Sequence, residues 1–288
     1  MRYNILLILS AICLLASCSV EEDGKDRFDV SYEGYTLFDA DFEAIDMAGE
    51  ESDFIWNKEV AIGVFGSQTG VNEKYTLKNA FDGKAAGEFY GKLVSGNIMA
   101  YYPYSEEFTL YDGDLTYRLS QHQSYNPDDT LLEHFCRYAG YAYAFNDNDA
   151  KLNFRYASGL LSVKVDLSET VIITSIELVS KETAIAGVGK VEQDMSVSFD
   201  NAGTSSIRAD FGEGLMSDSV EYPIVMPAGS YDDLSLVLKV KGMDDMVCVL
   251  GELEIERISS DDYTVTELVV KTGALGGFEI EGGLEFEQ

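Results

Sequence analysis

Along most of this chain apolar and polar residues alternate with a period of two, the signature of strands that bury one face. The clearest case is 234–241, where Leu234, Leu236, Leu238 and Val240 share one face and Ser235, Val237, Lys239 and Lys241 the other. A slip of one residue would turn the leucine face to water, so the pattern fixes the pairing register. Runs rich in Val, Ile, Phe and Tyr recur as VAIGVFG at 60–66, GEFYGKLV at 87–94, IMAYYPY at 98–104 and KLNFRYASGLLSVKVDL at 151–167. They continue as VIITSIELVS at 171–180, MSVSFD at 195–200, EYPIVMPAG at 221–229, LSLVLKVKG at 234–242, MVCVLGELEIERI at 246–258 and YTVTELVVKT at 263–272. The segment FDVSYEGYTLF at 28–38 predicts a first strand. A short helix is predicted only for 130–141, around LLEHFCRYAGY.

Clusters of Gly, Asn, Asp and Ser separate these runs, and the spacing suits antiparallel β-sandwiches. The predicted class is all-β. Acidic and hydroxyl residues from Asp166 to Thr170 separate one long apolar run from the next and mark a domain boundary. That divides the folded part into an N-terminal sandwich over 28–167 and a C-terminal sandwich over 168–288. No repeat of 20–50 residues is visible.

The N-terminus has a different pattern. Residues 1–17, MRYNILLILSAICLLAS, carry one positive charge at Arg2, an apolar run from Ile5 to Leu15, and small residues before a cysteine. This is the layout of a cleaved secretory signal peptide. The run is shorter than the ~20 apolar residues a bilayer-spanning helix needs. Leu15-Ala16-Ser17-Cys18 resembles a lipobox, in which Cys18 is acylated with diacylglycerol and becomes the new N-terminus. The plain alternative, a core cysteine behind an ordinary signal, conflicts with the polar segment that follows. Several acyl chains, at about 0.8 kcal/mol per buried methylene, would hold the protein on a membrane. Residues 18–27 form an acidic tether with too little apolar content to fold. Acidic residues directly after the lipidated cysteine are similar to the surface-export signal of Bacteroidetes lipoproteins, which implies the outer face of the outer membrane; a plain solvated tether is the alternative.

Charge narrows the partners. The chain has 51 acidic against 20 basic residues, a net charge of −31, and loses Arg2 with its signal. Such a field repels phosphates and anionic lipid, so no nucleic-acid partner is expected. Of four cysteines, Cys13 leaves with the signal and Cys18 is lipidated. Cys136 and Cys248 fall in different predicted domains, which predicts two buried free thiols.

Candidate chemistry is sparse. His122 and His134 are the two histidines, and neither stands in a nucleophile or metal-site pattern. GVGKVEQ at 187–193 lacks the spacing of a phosphate loop. Asn146, Asp147, Asn148 and Asp149 carry oxygen ligands but no distal glutamate of a calcium loop, so a solvated turn is expected. No catalytic residue, metal or cofactor is expected, and the chain is read as a non-enzyme. Tyr138, Tyr141 and Tyr143 could form an aromatic platform for a glycan, and equally one face of a strand.

From Trp56 to Ser105 the sequence resembles the fimbrillin family, the Mfa-like or fimbrillin-like lipoproteins of Bacteroidales type V pili. The matching text is FIWNKEVAIGVFGSQTGVNEKYTL and AYYPYS, with Trp56, Ile62–Phe65, Asn72, Tyr75 and Tyr101–Tyr104 at the family's positions. Gln121 or Gln123, LNFRYASGLLSVKV at 152–165 and YPIVMPAGSYDDLSLVLKV at 222–240 extend it; Tyr156 stands where a histidine is common. The resemblance implies two transthyretin-like β-sandwich domains, lipoprotein export, and a part in fimbriae or cell adhesion. Implied partners are other fimbrial subunits through strand exchange, the outer membrane through the lipid, and host or bacterial surface ligands. Trp56, Phe65, Tyr102 and Tyr104 are expected to fill a core without carrying chemistry.

In stalk subunits of this family an arginine-specific protease removes the tether and first strand, and a neighbour's strand fills the groove. Arg27 is the one arginine between Cys18 and Arg118, and it precedes the predicted first strand. Processing at Arg27 would therefore release the tether without opening a groove, which suits an anchor, accessory or tip subunit better than a bulk stalk subunit. The C-terminal GGFEIEGGLEFEQ alternates Phe278 with Ile280 and Leu284 with Phe286. It reads either as a donor strand for a neighbour or as edge strands closing its own domain.

Overall fold

The computed structural model describes residues 35–42, 45–47, 50–52, 55–124, 126, 128–146, 151–200, 203–258, 266–272 and 278–284. Cys18, Arg27 and Phe286 lie outside them, as do residues 28–34 and 147–150. The described chain is built mainly of strands, in keeping with the all-β expectation.

The first sheet has seven strands: β1 (Tyr35–Phe42), β4 (Ala61–Gly66), β5 (Glu73–Leu77), β6 (Gly87–Lys92), β7 (Ile98–Tyr102), β11 (Ala142–Asn146) and β12 (Lys151–Phe154). Their order is β11-β7-β4-β5-β6-β1-β12. The two ends meet: Tyr143 N–H donates to Arg155 O at 2.8 Å and Arg155 N–H to Tyr143 O at 2.9 Å. The sheet thereby closes on itself around Trp56, Ile62, Val64, Tyr75, Phe89 and Phe154. Close approach of two tyrosines explains two of its glycines. A Cβ on Gly63 would stand 1.9 Å from the Tyr101 ring, and one on Gly91 2.4 Å from the Tyr75 ring. A small hairpin, β2 (Ile45–Met47) with β3 (Glu50–Ser52), follows β1.

A long antiparallel ribbon organises the rest. β13 (Ser158–Ser180) and β17 (Ser206–Pro227) pair from Ser158↔Pro227 to Val179↔Ser206, with register shifts between Asp166 and Val171 and between Ile173 and Ser175. The position expected for the domain boundary lies inside this continuous strand, at the first shift. Along one half of β13 run β19 (Leu234–Val240) and then β20 (Met246–Val249). Along the other half runs β22 (Thr266–Thr272), parallel to β13, and then β23 (Phe278–Leu284). β10 (His122–Ser124) adds to the far side of β17.

A third sheet joins β8 (Leu110–Tyr111), β9 (Asp114–Leu119), β14 (Ala186–Val191), β15 (Val197–Ser198) and β16 (Gly203–Thr204). β18 (Gly229–Tyr231) pairs with β21 (Leu253–Ile255). A larger core gathers Val163 and Ile176 of β13, Tyr222 and Ile224 of β17, Tyr117 of β9, and the β19 leucines. It also takes Phe65, Tyr101 and Tyr143 from the first sheet, so β4 is buried on both faces.

The predicted helix is α1 (Leu131–Tyr138). Thr130 caps it: its Oγ1 accepts from Glu133 N–H at 3.2 Å, while Glu133 Oε2 accepts from Thr130 N–H at 2.9 Å. That reciprocal pair satisfies two of the helix's free amides. Arg137 pairs with Asp129, and His134 and Phe135 face the core. Cys136 therefore points outward, about 100° of helix turn past Phe135, and is exposed, which corrects the expectation of two buried thiols. Cys248, on β20, is buried, and both remain free.

Candidate strand-exchange site

The first described strand is held from both sides. β1 pairs antiparallel with β6 over six residues, from Tyr35↔Lys92 to Ala40↔Gly87. On its other side it pairs parallel with β12, from Asp39↔Lys151 to Phe42↔Phe154. The sequence FDADF dictates the rest by alternation. Phe38, Ala40 and Phe42 face inward and Asp39 and Asp41 outward, so two carboxylates do not stop the strand. Phe38 is 4% exposed and Ala40 is fully buried. Phe38 lies 5.6 Å from the Tyr75 ring, and Phe42 stands 5.8 Å from Tyr102, 6.1 Å from Trp56 and 5.6 Å from Tyr156.

Charges on the outer face are arranged around this strand. Lys151 reaches Asp41 at 2.7 Å across the parallel pair, and Lys78 pairs with Glu88 on β6. Removing β1 would leave ladder groups of β6 and β12 unpaired and open a cleft lined by Trp56, Phe89, Tyr75 and Phe154. That is the vacancy on which strand addition acts, with backbone bonds for affinity and side-chain pockets for specificity.

The other end is built differently. β22 is laid parallel on Leu161–Asp166 of β13, with Leu268 and Val270 buried. β23 pairs with β22 by Thr272↔Phe278, Val270↔Ile280 and Glu267↔Leu284, and has no second partner among the described residues. Phe278, Ile280 and Leu284 thus stand on an edge strand of the chain's own sheet.

Motif residues singled out in the sequence do structural work. Trp56 and Phe65 are buried, and Tyr102 and Tyr104 half-buried. Asn72 Nδ2 donates to Ser105 O at 2.9 Å and Phe108 O at 3.1 Å, tying the segment after β7 to the start of β5. The Tyr75 hydroxyl donates to Lys92 O at 2.5 Å, and burial pushes its pKa up. Gln123 clamps β17 through its side-chain amide: Nε2 donates to Val225 O at 2.6 Å and Oε1 accepts from Val225 N–H at 3.0 Å. Gln121 gives its carbonyl to Arg208 N–H at 2.8 Å. Tyr143 is buried and Tyr138 and Tyr141 half-buried, so these three rings form no exposed platform.

The histidines lie apart in role: His122 is exposed on β10, and His134 is buried on α1 against Tyr138 and Tyr222. Burial, reinforced by Arg137, pulls the His134 pKa down to about 4. Residues 187–193 lie on and just after β14. Among the described residues no group of three or more His, Cys, Asp or Glu is placed to hold a metal. No helix there is long and apolar enough to cross a membrane. What the sequence reading missed at the site was the extension of β1 to Phe42, whose period-two alternation was its signal.

No family model matches this chain, and no curated protein does. Solved structures do. A candidate cell adhesion protein from Bacteroides ovatus superposes with a TM-score of 0.50 at 12% identity, covering 86% of this chain and 95% of its own. A second such protein, from Bacteroides uniformis, gives 0.45 at 16% identity over 87% of this chain and 100% of its own. The tip fimbrial protein Mfa3 from Porphyromonas gingivalis gives 0.37 at 10% identity over 86% and 97%. The first of these likenesses is one of fold, over nearly the full length of both chains.

Proposed function

We propose that this chain is a non-enzymatic fimbrial or adhesive subunit of a bacterial surface, tethered to the outer membrane through acylated Cys18 and assembling with other subunits by β-strand donation. The observation that carries this reading is the place of β1, which fills a two-sided slot between β6 and β12 over an aromatic core. Likeness of fold to a candidate cell adhesion protein supports it, as does the resemblance of the Trp56–Ser105 motifs.

Within that role the chain is an anchor, accessory or tip subunit in preference to a bulk stalk subunit. Arg27 precedes β1, and the next arginine, Arg118, lies inside β9. A protease that cuts after arginine therefore has no site from which to release β1 alone. β23, with one ladder partner, is the strand we assign to a neighbour's groove. Incubating the full chain with an arginine-specific protease and sequencing the new N-terminus tests this. The expected product begins at residue 28 and stays monomeric. A product lacking β1 that polymerises would make it a stalk subunit.

A further inference from the structure

On the outer face of the closed sheet the ends of β1, β5 and β6 and the segment after β7 enclose a groove of about 410 Å³. This lies within the roughly 300–1,000 Å³ of sites that take small ligands. Three tyrosines form its apolar surfaces. Tyr35, 47% exposed, meets Tyr90 edge-on with 6.0 Å between ring centroids. Tyr104 carries the Lys74 ammonium 5.4 Å from the centre of its ring. Tyr35 and Tyr90 lie outside both buried cores.

The charge here runs against the rest of the molecule. In a chain of net charge −31, Lys74 and Lys92 open onto the same groove with Glu73 as its one carboxylate. Lys92 lies 3.4 Å from Glu73 with its own side chain 77% exposed. No carboxylate of the described residues pairs with Lys74, whose ammonium is held instead by the Tyr104 ring. Two ammonium groups beside tyrosine faces match a ligand that is apolar on one side, hydroxylated at its rim, and anionic at one point.

We infer that this groove binds a carboxylated pyranose, a uronic or sialic acid unit of a surface glycan. Its C–H face packs on Tyr35 and Tyr90, its carboxylate sits at Lys74 and Lys92 as point-charge donors, and its hydroxyls donate to Glu73. The groove requires β1 in place, because Tyr35 stands on that strand. The inference stands on the groove alone and does not depend on strand donation.

Calorimetric titration of the full chain with trigalacturonate and with 3′-sialyllactose, each against its neutral counterpart (the methyl-esterified trimer and lactose), tests it. Saturable binding of at least one acidic saccharide is expected, about tenfold or more tighter than its neutral counterpart, and weaker in raised salt. Which of the two binds identifies the sugar class. Tyr35→Ala and Lys74→Gln, both at exposed positions, should each lose about tenfold in affinity with unchanged melting, whereas Lys241→Gln, away from the groove, should bind like the parent. Binding of neither acidic saccharide, equal binding of the neutral counterparts, or parental affinity in both groove variants would overturn the assignment.

Discussion

β1 and β23 are the first and last strands of the described chain, and they sit in their sheets in opposite ways. β1 is bonded on both flanks and sends Phe38 and Ala40 into a closed core. Among the described residues β23 is bonded on one flank, to a strand that is itself laid parallel on half of β13. Extracting β1 breaks two ladders and uncovers aromatic side chains, each worth about 1.5–3 kcal/mol when fully buried. Extracting β23 breaks one. Among the described residues the first strand is thus held on two flanks and the last on one, the contrast on which the proposed strand donation rests.

The largest effect should come from deleting β1. A chain beginning at residue 43 is expected to lose its cooperative unfolding transition, and a synthetic peptide covering 28–46 should restore it; circular dichroism melts would show both. If the shortened chain melted like the parent, the contrast between the strands would be void.

Phe38→Ala comes next, at about 3–5 kcal/mol of lost stability by urea titration, the usual cost of emptying an aromatic site. Truncation after Thr272, which removes β23, should cost less than Phe38→Ala in the same assay. The reverse ranking would place the firmly held strand at the other end.

Acid acts on a third place, the helix α1 where it packs on β17. Burial holds the His134 pKa at about 4 against an ordinary 6.5, so the fold favours neutral imidazole. The stability this gives is full above pH 6.5 or so and is lost as pH falls toward about 4. His134→Phe should flatten the fall of urea midpoints across that window. The loss should loosen α1 and β17 while β1 stays protected. The smallest effect belongs to the rim of β1: Lys151→Gln breaks the exposed pair with Asp41 and should cost no more than about 1 kcal/mol.

Much of this architecture is written in alternation. The β19 leucines, the strand around Phe89 and the capped helix at Thr130 are readable because each buries one side by its own period, and the strands around Ile62 and Ala100 because they are short continuous apolar runs buried on both faces. Strands with neither signal are not. Asp114–Leu119 and Ala186–Val191 lack both, because Thr116 is buried through a bond from its hydroxyl to Thr109 O at 2.5 Å and because two glycines and a lysine interrupt the apolar residues of β14. The join of residues 158–180 into one strand was hidden by the polar stretch at Ser168–Thr170, which is exposed mid-ribbon. The tether and Arg27 are read from local motifs and lie outside the described residues. The closing of the sheet through Tyr143 and Arg155 depends on a contact with no local sign.

Hydrogen exchange on the intact chain followed by peptide mass analysis tests the contrast most directly. Amides of residues 37–42 should exchange only with global unfolding, whereas those of 278–284 should exchange through local opening, faster and without dependence on Phe38. Slow exchange at 278–284 together with fast exchange at 37–42 would contradict the account, because the strand free to leave would then be the N-terminal one.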